Sequence, residues 1–358
     1  MLTALSYPHI GRTLDPVSVT IFDVARHVGV SIKTVSRVIN NDPVVSEDTR
    51  AKVMAAVREL GYVPNVSARR LASRRSYVVG LVFHNATWAY ITEVQQGVLE
   101  TCRKEGYGML IHPCNAKKSE DQQEILRLVA QQQVDGFIFT PPCDNAVALL
   151  EELEARRIPF VRLTPCVRQG PSPFVAADDW RGAYEMTEHL INLGHRRIGF
   201  IMGNPDHQAS HDRLAGFKAA LEAHRIPFNP ALIQQGDFQF ESGVTCARAL
   251  LGMEPRPTAI FASNDDMAAG VLAVAHQMGI SIPADLSVAG FDDVPLARQV
   301  WPALTTIRQP IYEIAVSAAQ LLIRLLKGES VETSFYELPT TLIVRESTGP
   351  VGDPESLG

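Results

Sequence analysis

The sequence predicts an α/β protein in two parts. A small N-terminal helix-turn-helix headpiece with a short hinge helix precedes a two-lobed core of doubly wound parallel sheets. Three observations carry this reading. Two short helical patterns separated by a glycine stand near the N-terminus. Residues 18–75 hold ten Lys/Arg against five Asp/Glu, a net of +5 on a chain whose total is −6, and residues 1–17 add one Arg and one Asp, leaving −11 for the rest. From residue 78 onward, short apolar runs alternate with helical patterns in two successive sets. At 358 residues and 46% hydrophobic content, the chain holds a small head plus a two-part globular core.

Residues 1–17, MLTALSYPHIGRTLDPV, lack the basic start and continuous apolar stretch of a secretion signal. They are expected to form a disordered arm, or to be an extension from an upstream start codon. The headpiece is placed at 18–63. Thr20 caps its first helix with Asp23 three positions on, and Ile21, Val24, Ala25 and Val28 form the buried face. Gly29 stops that helix because only glycine takes a left-handed turn without strain. Ser31 caps the second helix, whose inner face is Val35, Val38 and Ile39. Ile32, Lys33, Ser36 and Arg37 point outward near its start. Such a helix suits a major groove, where Arg pairs bidentately with guanine; the alternative is a surface helical hairpin with scattered charges. Ser46 opens a third helix to about Leu60.

The segment 64–75 is read as a hinge helix and linker. Asn65 caps about two turns, too short for stability alone in water, so the segment is expected to fold on docking. Arg69, Arg70, Arg74 and Arg75 suit phosphates. Leu71 is either a wedge between base steps in the minor groove or a helix-packing leucine.

In the core, runs at 78–83, 108–113, 136–141 and 160–163 read as one set of buried parallel strands, and 174–178, 197–202, 259–263 and 286–291 as a second. Helices are predicted between them, for example over 91–105 and 119–133. Ligands of such sheets lie beyond the carboxyl ends of the strands, here the cleft between lobes. No phosphate-binding glycine motif follows a strand, which argues against a nucleotide cofactor, and no cofactor is predicted. The five cysteines (102, 114, 143, 166, 246) have no zinc-like spacing and read as free thiols of a reducing cytosol, with no metal predicted. No run is long enough to span a membrane. The carboxylate pairs Asp178/Asp179, Asp265/Asp266 and Asp292/Asp293 invite a hydrolase reading, but neighbouring side chains diverge and no nucleophile motif such as GxSxG appears. His195, before a strand, reads as structural.

The pieces VTIFDVARHVGVS, TVSRVINN, VSEDTR, ELGYVPN and ARRLA stand in order and at the right spacing. By these, the chain from Val19 to about Thr348 resembles the LacI family, the group of the lactose and purine repressors. The resemblance implies a bacterial, cytoplasmic transcriptional repressor, nucleoid-associated when bound to DNA. It implies a homodimer on a pseudo-palindromic double-stranded operator, with two hinge helices paired at its centre. Ile32, Lys33 and Arg37 would read bases, Leu71 would open the central step and Ala72 would set its preference. Thr20, Ser31, Thr34, Ser36, Asn40, Asn65, Ala68 and Arg69 complete the expected DNA contacts.

The core, placed at 76–350, resembles periplasmic sugar-binding proteins. The resemblance implies lobe 1 at about 76–173 and 307–335, lobe 2 at about 174–306 and 336–350, and a tail at 351–358. Arg213, Asn264 and Asp292 match effector-contacting positions, and the aromatics Trp88, Tyr90, Phe238 and Trp301 are candidate covers for a sugar face. Asp265 and Asp293 have the plainer reading of helix caps. Arg162 stands where the family's lactose-binding branch has an acidic pocket residue, which points to a different glycoside or an acidic ligand such as a sugar acid. The implied function is an effector-controlled regulator sensing a sugar or glycoside. Alternatives are the same fold sensing a sugar acid, nucleobase or other metabolite, a periplasmic-type binding protein, or a sugar-processing enzyme. The polar tail lacks the heptads of a tetramerising coiled coil.

Overall fold

The computed structural model describes residues 19–39, 44–62, 73, 75–84, 86–166, 172–331 and 335–351. The arm at 1–17, Asn40, Asn65, Ala68, Arg69, Leu71 and Ala72, and all of the tail but Val351 lie outside the described residues. The chain divides at Arg75/Ser76 into two compact units.

The first unit carries helices α1 (Ile21–Val28), α2 (Ile32–Ile39) and α3 (Glu47–Glu59). The Thr20 N–H and hydroxyl both donate to Asp23 Oδ2, at 2.9 and 2.6 Å, tying down the start of α1. Gly29 ends α1 at φ 72°, and its N–H returns to the Ala25 carbonyl. Ser31 Oγ accepts the Thr34 N–H at 3.1 Å and caps α2. Ser46 caps α3 through the Thr49 N–H. Val24, Val35, Val38 and Val53 are fully buried and hold the three helices together with Ala56 and Tyr62.

The second unit contains two six-stranded sheets with the same winding. Sheet 1 is built from β1 (Val78–Phe83), β2 (Gly108–Pro113), β3 (Gly136–Phe139), β4 (Phe160–Leu163), β5 (Phe174–Ala177) and β11 (Phe335–Leu338). Its order is β11-β5-β4-β3-β1-β2, all parallel. Sheet 2 is built from β6 (Ile198–Met202), β7 (Ile233–Gln235), β8 (Ala259–Ala262), β9 (Ser287–Asp292), β10 (Thr305–Arg308) and β12 (Thr341–Ile343). Its order is β12-β10-β9-β8-β6-β7, with only β12 antiparallel.

Helices cover both faces, which is why most strands are apolar on both sides. In lobe 1, Val79 and Leu81 face the helices α4 (Trp88–Lys104) and α12 (Ile311–Lys327), while Val82, Phe137 and Phe139 face α5 (Ser119–Ala130) and α6 (Val147–Ala155). Gly97 permits the close crossing of α4 and α12: a Cβ there would stand 2.7 Å from the Tyr312 carbonyl oxygen. In lobe 2, α7 (Asp179–Asn192) and α8 (Gln208–Ala223) cover Phe200, Phe261 and Phe291. On the other face, α9 (Phe240–Leu251) and α10 (Asp265–Gln277) cover Ile260 and Val288. A four-residue helix, α11 (Leu296–Gln299), follows β9.

Three expected boundaries need correction. The 174–178 run, expected to open the second lobe, is a strand of the first: Leu163 pairs with Val175, and Phe335 with Phe174. The crossover expected at Thr306/Ile307 falls beyond Arg308, because β10 pairs with β9 along Thr305–Arg308. The last, expected at 335/336, falls beyond Leu338, because β11 runs in sheet 1 to Leu338. The chain therefore crosses between lobes near 177–179, 308–311 and 338–341. An apolar parallel strand reads alike in either sheet, and only its partners decide its membership.

Candidate functional site

On α2, Ile32 and Lys33 are exposed at the first turn, while Thr34, Ser36 and Arg37 are half-buried. Thr34 shares its hydroxyl with Ser31, at 2.8 Å, so these two side chains serve the helix start. Arg50 reaches from α3 to the Val38 carbonyl and fixes α2 against it.

In the core, a cavity lies between the lobes. Its walls are strand ends. Lobe 1 contributes Ala86, Thr87 and Tyr90 after β1, Pro141 after β3 and Thr164 after β4. Asp179 follows β5 at the first crossover. Lobe 2 contributes His207, Ala209 and Arg213 after β6, Phe238 after β7, Asn264 after β8, Asp292 at the end of β9 and Gln309 after β10. Such a site follows from two sheets whose carboxyl ends face one another.

Arg213 organises the polar side. Its Nε sits 2.8 Å from Asp179 Oδ1, its Nη1 is 3.6 Å from Asp292 Oδ1 and donates to the Ser263 carbonyl. The guanidinium lies 3.7 Å from the Phe291 ring centroid. Gln309 Nε2 donates to Asp292 Oδ1 at 2.6 Å. Asn264 Oδ1 caps α10 through the Met267 N–H, and its Nδ2 donates to the Phe238 carbonyl at 2.8 Å. Phe238 (φ 73°) and Asp292 (φ 116°) hold backbone conformations rare for residues with side chains. That strain, of order 1–3 kcal/mol per residue, is characteristic of ligand clamps.

Burial raises the Asp292 carboxyl to about 7, with Arg213 opposing and Asp179 reinforcing the rise. Burial, helped by Arg213, lowers His207 to about 4, so it is neutral at pH 7. Tyr90 is raised by burial and by Asp292, and keeps its phenolic proton.

The structure thus brings together Tyr90, Arg213, Phe238, Asn264 and Asp292 among the expected effector residues. It does not bring Trp88, Trp301 or Arg162 to the cavity. Trp88 and Trp301 are 86% and 87% exposed and lie outside the lining. Arg162 is buried inside β4, where its Nη2 donates to the Ser172 carbonyl at 3.2 Å. Thr164, just past the strand end, takes the place at the wall. Asp265 and Asp293 also lie outside the lining, and neither is a cap. Asp265 accepts from the Val294 N–H and the Thr306 hydroxyl, and Asp293 is held by Arg308 and Arg345. His195 is structural: buried, it links Thr258, Ser287 and the Gly349 carbonyl. Asp179, His207 and Gln309 were missed as lining residues; their signal was position, each following a strand.

Four of the five free cysteines are buried, and burial raises Cys102, Cys114 and Cys166 to about 11. Among the described residues no group of His, Cys, Asp or Glu is placed to hold a metal, and no helix is long and apolar enough to cross a membrane.

A helical DNA-reading headpiece, joined in one chain to a two-lobed core around a charged cavity, defines a ligand-responsive transcriptional regulator. Residues 20–65 match the model of bacterial regulatory proteins of the lacI family, and 187–348 match a periplasmic binding protein-like domain. The chain is 34% identical over 334 residues to catabolite control protein A of Priestia megaterium, covering 93% of this chain and all of that one. Among solved structures, it resembles the lac repressor dimer bound to operator and the anti-inducer ONPF (TM-score 0.75, 29% identity, 93% of this chain and 99% of that one). It also resembles the transcriptional regulator CelR–cellobiose complex (TM-score 0.71, 32% identity, 92% and 99%). The chain belongs to the lacI family of bacterial regulatory proteins. It is a DNA-binding transcriptional regulator with an effector-binding core, not an enzyme.

Proposed function

We propose that this regulator is a cytoplasmic repressor that grips a pseudo-palindromic operator as a homodimer and senses a neutral sugar or glycoside between its lobes. The observation that carries the effector reading is the commitment of Arg213, the one lining cation among the described residues. It is already shared between Asp179, Asp292 and the Ser263 carbonyl. With His207 neutral, the described lining offers no further cation to a phosphate or carboxylate. Arg162, which would have favoured a sugar acid, lies outside the lining. Two carboxylates and the Gln309 amide instead offer partners to hydroxyls, beside the apolar rings of Tyr90 and Phe238. The bound cellobiose of the CelR structure supports the same class.

On the DNA side, Ile32, Lys33 and Arg37 are the proposed base readers, and effector binding acts on them by changing the angle between lobes. The lac repressor dimer on operator supports two-fold assembly. So do the two exposed tryptophans, Trp88 and Trp301, as apolar surface of the kind interfaces use. The test is a thermal-shift panel on the full chain, pairing neutral mono- and disaccharides with their acids and phosphates. A ligand at 100 times its Kd adds about 2.7 kcal/mol to stability. A shift confined to neutral sugars is expected; a shift confined to the acids or phosphates refutes the reading.

A further inference from the structure

Three loops of lobe 1 converge on a single residue of lobe 2. Lys117, after β2, places Nζ 2.7 Å from Asp206 Oδ2. Asn145, after β3, donates from Nδ2 to the Asp206 carbonyl at 2.9 Å. Cys166, after β4, points its thiol at the same carbonyl at 2.8 Å. Both sides are braced: the Cys166 N–H is held by Asp144 Oδ2, and the Asp206 N–H by Asn204 Oδ1. Strand order puts the Lys117 and Asp206 end of this cluster opposite the hinge. The three crossovers leave from β5, β10 and β11, toward one edge of the sheets, whereas Lys117 follows the opposite edge strand β2, and Asp206 follows β6, next to the edge strand β7.

We propose that Asp206 is a positioning residue, the catch that holds the lobes together over the cavity on the side away from the hinge. Its neighbour His207 lines the cavity and packs 5.3 Å from the Phe238 ring, so engaging the catch also sets one wall of the site. Loss of the catch populates open cores and lowers the apparent affinity of anything the closed cavity holds by the fraction closed. That consequence rests on the effector reading above; the catch itself does not.

Each hydrogen bond is worth roughly two- to tenfold in the closed-to-open ratio, and the thiol less. The ion pair, 78% and 40% exposed at its two ends, is worth at most about fivefold and weakens with salt. The experiment is interlobe energy transfer on the full chain, with dyes introduced through unnatural amino acids at the exposed Glu151 of α6 and Glu222 of α8. The triple variant Lys117→Ala, Asn145→Ala, Cys166→Ala is expected to shift the closed-to-open ratio about tenfold or more toward the longer distance. Lys117→Asp sets a carboxylate against Asp206 and is expected to open the core alone; adding Asp206→Lys to it is expected to restore closure. A triple variant that melts like the parent but keeps its distance distribution overturns the proposal. If the triple does not fold, failure of the reversed pair to recover the Lys117→Asp shift overturns it equally. None of these readouts requires a sugar, so a blank in the ligand panel leaves the result standing.

Discussion

Replacing Arg213 by Met removes the cation between two buried carboxylates while nearly preserving side-chain length. Arg213 is 3% exposed and Asp179 1%, so water screens neither. Breaking a buried pair from one side costs about 3–5 kcal/mol, because the partner's charge is left uncompensated. For a core of this size each kcal/mol moves Tm by about 2–4 °C, so the loss is expected to be roughly 6–20 °C. The loss should depend on pH with a defined sign. Without Arg213 the Asp292 carboxyl, already raised to about 7, rises further. A folded-state pKa above the unfolded one near 3.8 gives stability that is full at low pH and lost as pH rises through the folded value. The variant should therefore melt closest to the parent near pH 5 and furthest from it near pH 8. Adding Asp292→Asn should remove much of that slope. Calorimetry of both variants and parent across pH 5–8 reads this directly. An equal loss at every pH would show that Arg213 stabilises by packing on Phe291 and not by pairing charges.

His207, lowered to about 4 against 6.5 when unfolded, should make the parent lose stability as pH falls from about 6.5 towards 4; His207→Gln should flatten that part of the curve, read by melting temperature. Ser31→Ala removes the α2 cap and should cost the headpiece about 1 kcal/mol, with weaker DNA binding because the reading helix frays; urea titration and gel shift check the two parts. Gly97→Ala drives a methyl into the Tyr312 carbonyl and the Ala315 side chain and should destabilise the core by about 1–3 kcal/mol; a variant as stable as the parent would show that α4 and α12 can part freely.

The headpiece was legible because its signals are local. Thr20 with Asp23, Gly29, Ser31 and Ser46 each act within one turn of their own position, and each sits where its spacing places it. The winding of the core was legible as alternation, but the owner of each strand was not. Phe174–Ala177 has nothing in it that prefers one sheet, and the Phe335 strand that helps to claim it lies some 160 residues away. Site residues carried by strand ends were found in proportion to how well the ends were placed. Arg162 was expected at the wall from the family's acidic pocket position, although its run, 160–163, reads as strand; β4 spans those residues and keeps Arg162 inside it, while Thr164, just past its end, reaches the wall. Trp88 and Trp301 matched on residue type alone, and aromatic type says nothing of direction. Asp179 was visible as a strand-end carboxylate, but one assigned to the wrong lobe.

Every side chain that borders the cavity is carried by a loop, a strand's last residue or the first turns of a helix, while the strands behind them are committed to packing. Ligand preference and architecture are thereby encoded in separate stretches of sequence. Substitutions along the rim can exchange one metabolite for another without disturbing the sheets, and drift within the sheets can proceed without erasing the rim. A scaffold partitioned in this way is readily reassigned to new signals, provided the acid–base pairing at its floor is replaced as a set.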